Sequence, residues 1–261
     1  MTAQVTVARQ MVWAELLRLR KKRGLMALVL AVVLGPLVVW TGYSVIEHAS
    51  NPAHYGPAGG LEHYGRMLSL LGVFMGPVAA VLIGAEAGAG DLAAGVFRDN
   101  VLTGRSRLAL FLARIPAALA VTFAATGVAF AFGLAVTYAF AGALATPSLS
   151  VVLESAAWLA LANGLVCVIA IGAASLSGSR PGTITAFVAW ELVLSPLLVQ
   201  SASLGSLRRG LLDGALLFLK PGPGGGQPTI PMPVAVAIIV LAAWLLVLPT
   251  LGAWRMRTRD A

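Results

Sequence analysis

Six long apolar stretches, separated by shorter polar segments, organise this chain. A helix needs about 20 mostly apolar residues to cross a hydrocarbon core of about 30 Å. The stretches at residues 25–46, 67–85, 108–142, 151–174, 183–204 and 233–253 meet that length. The third is too long for one upright span and predicts a tilt, a kink or a start outside the membrane. Together they predict an all-α membrane protein, one transmembrane domain of six helices over residues 1–261. Ahead of the first span, in residues 1–23, Val12, Trp13, Leu16 and Leu17 share one helical face while Arg9, Arg18 and Lys21 fall off it. That pattern predicts a basic amphipathic helix at the membrane interface, with Trp13, Leu16 and Arg20 meeting lipid. The first apolar run starts only near Leu25 and exceeds the ~7–15 residues of a signal-peptide core, so it reads as a retained span.

Two connections stand out. Residues 86–107 mix Gly and Ala with Glu86, Asp91, Arg98, Asp99 and Asn100, and Leu92, Val96 and Phe97 give a short apolar face. Residues 205–231 run from an apolar stretch, Leu207 to Leu219, into a Pro/Gly-rich connection. The apolar stretch predicts an amphipathic or re-entrant segment, and the Pro/Gly run a flexible link.

Composition sharpens the membrane reading. Hydrophobic residues make up 59% of the chain and charged residues 11%, against about 25% charged in soluble domains. A soluble globule of this size has too little interior for that apolar surface. The net charge of +8 sits beside the apolar runs, as topology determinants and headgroup contacts do, with no interleaved aromatics to suggest nucleic acid. Fourteen of the 18 Lys and Arg residues lie in the N-terminal segment, residues 86–114, the loop at Arg180 and the C-terminus. The positive-inside bias therefore predicts both termini on the cytoplasmic side of a bacterial inner membrane.

Chemistry is sparse. His48, His54 and His63 fall near Glu47 and Glu62, at spacings that match no usual metal-ligand pattern, and read as a solvated outer loop. Cys167 is the single cysteine. No span carries His or Lys as a base for a serine nucleophile, and no G-x-x-x-x-G-K-[ST] loop is present. The chain is therefore expected to be non-catalytic and to hold no cofactor or metal. Glu191 stands in mid-span, where a carboxylate is costly unless paired, protonated or wet, and so marks a functional contact or a neutral packed Glu. Asn163 is its candidate partner by depth, and with Ser195 the three are candidates for a translocation path. Gly84 and Gly88 form a G-x-x-x-G pair suited to close helix packing.

The run Glu86-Ala-Gly-Ala-Gly90, followed by Leu102-Thr-Gly-Arg-Ser-Arg107 and by Arg114, resembles the ABC-2 type permease family. In that family a Glu and a Gly follow the second span, a Ser-Arg motif precedes the third, and a basic residue stands a turn or two inside it. Asp91 stands where the family often has Thr. The resemblance implies an ABC-2 (type V) exporter-like fold that pairs with a second permease, identical or homologous. It also implies two cytoplasmic ATPase subunits that carry the ATP and Mg. Residues 86–107 would then be a coupling loop, with Glu86, Gly90, Asp91, Phe97, Arg98, Arg105 and Arg107 facing the ATPase. The implied activity is export of an amphiphilic substrate such as a drug, antibiotic or lipid. On that reading, charge reversal at Glu86 or Asp91 uncouples transport without unfolding the chain. The alternatives are an ATP-independent permease, an assembly or immunity protein, and, less favoured, a lipid enzyme.

Overall fold

The computed structural model describes residues 2–93, 106–222 and 230–258. Among them every regular element is helical, and six helical stretches are long and apolar enough to cross a membrane. The chain is a multi-pass membrane protein.

Helix α1 (Thr2–Lys21) meets α2 (Arg23–Ser50) at a break at Lys22. Along α2 the buried residues Leu25, Val29, Val33, Leu37 and Thr41 recur every fourth position, a single fully buried stripe flanked by half-buried residues such as Met26, Val32 and Trp40. The second span is composite: α3 (Gly60–Ser69), a π turn (Leu70–Phe74) and α4 (Met75–Ala93). Ser106 caps α5 (Arg107–Ala139), its hydroxyl accepting from Ala109 N at 3.1 Å. Ser148 caps α6 (Leu149–Ser177), which ends at Gly178 in the left-handed conformation, φ 70°. The fifth span is again composite: α7 (Arg180–Ala189), a π turn (Trp190–Leu194) and α8 (Ser195–Gln200). A 3₁₀ stretch (Ala202–Gly210) and the short α9 (Leu212–Phe218) lead to α10 (Val234–Thr258).

Both π turns have the same cause. Pro77 in α4 and Pro196 in α8 have no N–H for the carbonyl four residues back, which belongs to Val73 and Leu192 respectively. Each of those carbonyls lies within a π turn, where the widened backbone makes room for the ring. The two π turns pack against each other in the bundle. Asn163 Nδ2 donates to Leu71 O, a carbonyl of the first π turn, at 3.4 Å.

The centre of the bundle is α4 against α6. In these two spans 83% and 78% of the central residues are buried, against 28%, 22% and 17% for the first, fifth and sixth, which form the rim. Small residues allow the approach. A side-chain carbon added to Gly84 would lie 2.8 Å from Ala170 Cβ, and one on Gly88 2.8 Å from Ala174 Cβ. Gly172 of α6 and Gly252 of α10 touch in the same way, with a carbon on Gly252 falling 2.9 Å from Gly172 Cα.

The second span runs well past the 67–85 expected, because residues that looked like loop are helical and paired. At one end Glu62 and Arg66 bridge each other. At the other, Glu86 and Asp91 are buried inside the helical stretch. His63, expected in a solvated loop, is in the first turn of α3, buried and stacked on Trp40 at 4.1 Å between ring centroids. The segment after the fifth span splits in two. The 3₁₀ stretch buries none of its residues, while Leu212–Leu217 of α9 are all buried.

Candidate functional site

The end of the bundle that carries both termini holds a cluster of charges. Arg107 Nη1 donates to Arg257 O at 3.4 Å, which brings the start of α5 to the last turn of α10 at this face. Asp91, in the last turn of α4, is the first centre. Its carboxylate pairs with Arg18 of α1 on one oxygen, and with Arg114 Nη2 of α5 on the other at 2.7 Å. Arg114 is 1% exposed. Its other terminal nitrogen donates to Gly88 O at 3.2 Å, which also accepts from Ser175 Oγ of α6. Arg18 makes a further ion pair with Glu15 at 2.8 Å. Burial pulls the Arg18 guanidinium below its usual range, and the charge of Glu15 pulls it back up.

Glu86 is the second centre, about a turn and a half back along α4 and fully buried. It pairs with Lys22, at the junction of α1 and α2, and with Arg180 at the start of α7, whose Nη1 lies 2.8 Å from Oε2. Gly90 keeps this pair open, because a side-chain carbon there would fall 3.2 Å from Glu86 Cδ and 3.8 Å from Lys22 Nζ. Four cations thus face three carboxylates and join five helices: α1, the start of α2, α4, α5 and α7.

This arrangement changes the expectation for the connecting loop. Glu86 and Asp91 are internal residues of the helix rather than an exposed docking edge, because buried carboxylates need cations and these find them within the chain. Charge reversal at either would set like charges together in a buried site, and such variants are expected to lose stability as well as coupling. Phe97, Arg98 and Arg105 lie outside the described residues. On α1, Trp13 is 56% exposed and Leu16 half-buried. Leu16 and the exposed Arg20 line a groove of about 430 Å³ with Met26, Val29, Leu30 and Ala124. Arg18, read from its face as solvent-facing, turns inward to Asp91.

A second polar cluster lies about halfway along the fifth span. Glu191, on the π turn, is 1% exposed and its Oε2 has no hydrogen-bond partner. The acid on the same buried face is Asp213 of α9, 5% exposed and bonded to Ser195 one turn beyond Glu191, rather than the Asn163 expected from depth. Asn163 is engaged with Leu71 O instead. Ser195 Oγ donates to Asp213 Oδ2. Burial pushes the Asp213 carboxyl up, and the Ser195 hydroxyl partly reverses this. Asn163, Glu191 and Ser195 are all buried among residues of this one chain.

Sequence reasoning missed Lys22, Arg180 and Asp213 as partners. Asp213 carried a signal: it is the one acid in the apolar stretch from Leu211 to Leu219. Among the described residues, no three His, Cys, Asp or Glu side chains converge as a metal site would need. A comparison with protein-family models finds none that matches the chain, and a comparison with curated proteins finds no match.

Proposed function

We propose that this chain is the membrane-spanning permease subunit of an ATP-driven exporter of the ABC-2 type. It would work with two copies of a cytoplasmic ATPase, which bind ATP and Mg, and with a second permease copy, identical or homologous. Its basic face lies in the cytoplasm by the bias of Lys and Arg, and its charge-poor spans suit an amphiphilic substrate.

The observation that carries this reading is the charge cluster. The family-like motif runs from Glu86 to Arg114, across residues 94–105, which connect α4 to α5. The helix ends on either side of that connection, at Asp91 and Arg114, are joined to each other and to Arg18 by ion pairs. Glu86 extends the joint to Lys22 and Arg180. A push on the connection would therefore reach α1, the start of α2, α4, α5 and α7 as one unit. An exporter driven from a cytoplasmic ATPase needs such a linkage.

The Glu86 joint tests it, because replacing Glu86 together with its half-exposed partners Lys22 and Arg180 strands no charge and leaves the deeper Asp91–Arg114 pair in place. Glu86→Gln with Lys22→Gln and Arg180→Gln is expected to lower transport in proteoliposomes at least fivefold per ATP hydrolysed, with the ATPase still bound. An unchanged ratio of transport to hydrolysis in the triple variant would remove the linkage from the mechanism.

A further inference from the structure

We infer that Glu191 and Asp213 form a proton-binding site, in which the buried pair retains one proton, on Glu191, and so lets the buried helix α9 rest against the fifth span. The inference goes beyond the exporter reading and holds whether or not an ATPase drives the chain.

The geometry sets the requirement. Glu191 is carried by the π turn that Pro196 forces on the fifth span, and Asp213 by the first turn of α9. Both are buried, at 1% and 5% exposure. No basic side chain among the described residues answers them. On the flanks of α9, Lys220 Nζ donates to Gly65 O and Ser69 Oγ, at 3.2 and 2.6 Å. Arg208 is turned to Gly205 O and Val199 O, and Arg209 is exposed. On α3, Arg66 is taken by Glu62. On α6 the nearest acid, Glu154, is exposed, and α10 offers no titratable group before Arg255.

Two adjacent carboxylates without a counter-ion cannot both stay ionised in a dry interior, so a proton is retained by the pair. The hydrogen bonds say where it sits. The Ser195 hydroxyl donates to Asp213, which suits Asp213 as the charged acceptor. Glu191 Oε2 has no donor, which suits Glu191 as the protonated partner. One hydroxyl and two carboxyls supply fewer oxygens than the six to eight a calcium-like cation takes.

The consequence falls on α9. Its far end is held separately: Trp158 Nε1 donates to Leu216 O at 2.8 Å, in a space kept open by Gly72, and Lys220 anchors the turn beyond. Loss of the shared proton would place two negative charges side by side and release the Asp213 end of α9, while the Trp158 end stays held.

Thermal unfolding of the purified full chain in detergent, from pH 5 to pH 9, tests this. The pair binds its proton more tightly folded than unfolded. Its stabilisation is therefore complete near the ordinary carboxyl range and is lost as pH rises. Wild type is expected to lose about 3 °C of melting temperature per pH unit relative to Glu191→Gln, from just above the ordinary carboxyl range up to the pH at which the folded pair gives up its proton, and to level off beyond it. Equal slopes in the two proteins would overturn the inference. Should Glu191→Gln fail to fold, infrared spectroscopy of the wild type at pH 7 decides instead. A protonated carboxyl band, shifted in D2O and absent from Asp213→Asn, supports the site, and no such band refutes it. A melting temperature that rises with sodium over choline at pH 9, and does so only with Asp213 present, would also refute it by giving the pair to a metal cation.

Discussion

Arg114 shows how little freedom the buried charges have. Its guanidinium is 1% exposed, and Asp91 is the acid it pairs with. Asp91→Asn strands that cation and is expected to cost about 3–5 kcal/mol of unfolding free energy, read as a large fall in melting temperature. Asp91→Asn combined with Arg114→Met should recover much of the loss, because no buried charge is then left alone. Lys22 is a contrast. Its side chain is 40% exposed and its partner Glu86, though buried, keeps Arg180 at 2.8 Å, so Lys22→Gln strands no charge and is expected to cost only about 1 kcal/mol. If the two single variants melt alike, the division into buried and surface pairs is wrong. At this scale the sequence was legible in part. Glu191 stood out because an acid in mid-span is rare. Its partner did not, because nothing in local spacing says that α9 folds back to bring Asp213 beside it. Glu86 and Asp91 were noticed as polar but read as loop, since pairing with Arg18, Lys22 and Arg180 depends on which helix ends meet.

The elements were more readable than the residues, for a physical reason. Crossing a bilayer takes about 20 apolar residues in helix, and that demand is written locally in each span. The ends are less local, because ion pairs let α4 carry acids to Asp91 inside the bundle. The close packing of α4 on α6 was signalled by Gly84 and Gly88, and it makes a direct prediction. Gly88→Leu drives a side chain into Ala174 and Ile171 and is expected to cost at least about 1–3 kcal/mol. Gly24→Leu, at a position with open space, should be near neutral in the same melts. The π turns were not foreseen. Pro77 and Pro196 stand in the sequence, but a proline within a span is met by a simple kink as readily as by a widened turn, and nothing in local spacing tells the two apart. Asn163→Leu removes the donor to Leu71 O and is expected to destabilise by about 1–3 kcal/mol. A neutral result there would mean that the π turn needs no help from α6.

For the whole molecule, two central spans are wrapped by a rim whose outward faces are apolar. Val39 of α2, Leu197 of α8 and Ile239 of α10 are each more than half exposed. Such faces suit lipid or a second copy of the chain. The opposed features are the basic, ion-paired face at the termini and the buried acids deeper in the bundle. The central claim is that the first of these takes its work from a separate ATPase. Co-purification tests it most directly. The chain would be tagged, extracted from its own host in mild detergent, and everything bound to it identified by mass spectrometry, with the preparation repeated in lipid discs. The account predicts a stoichiometric second chain that carries a G-x-x-x-x-G-K-[ST] loop and hydrolyses ATP in the complex. Recovery of this chain without any ATPase, in both detergent and lipid, would contradict it.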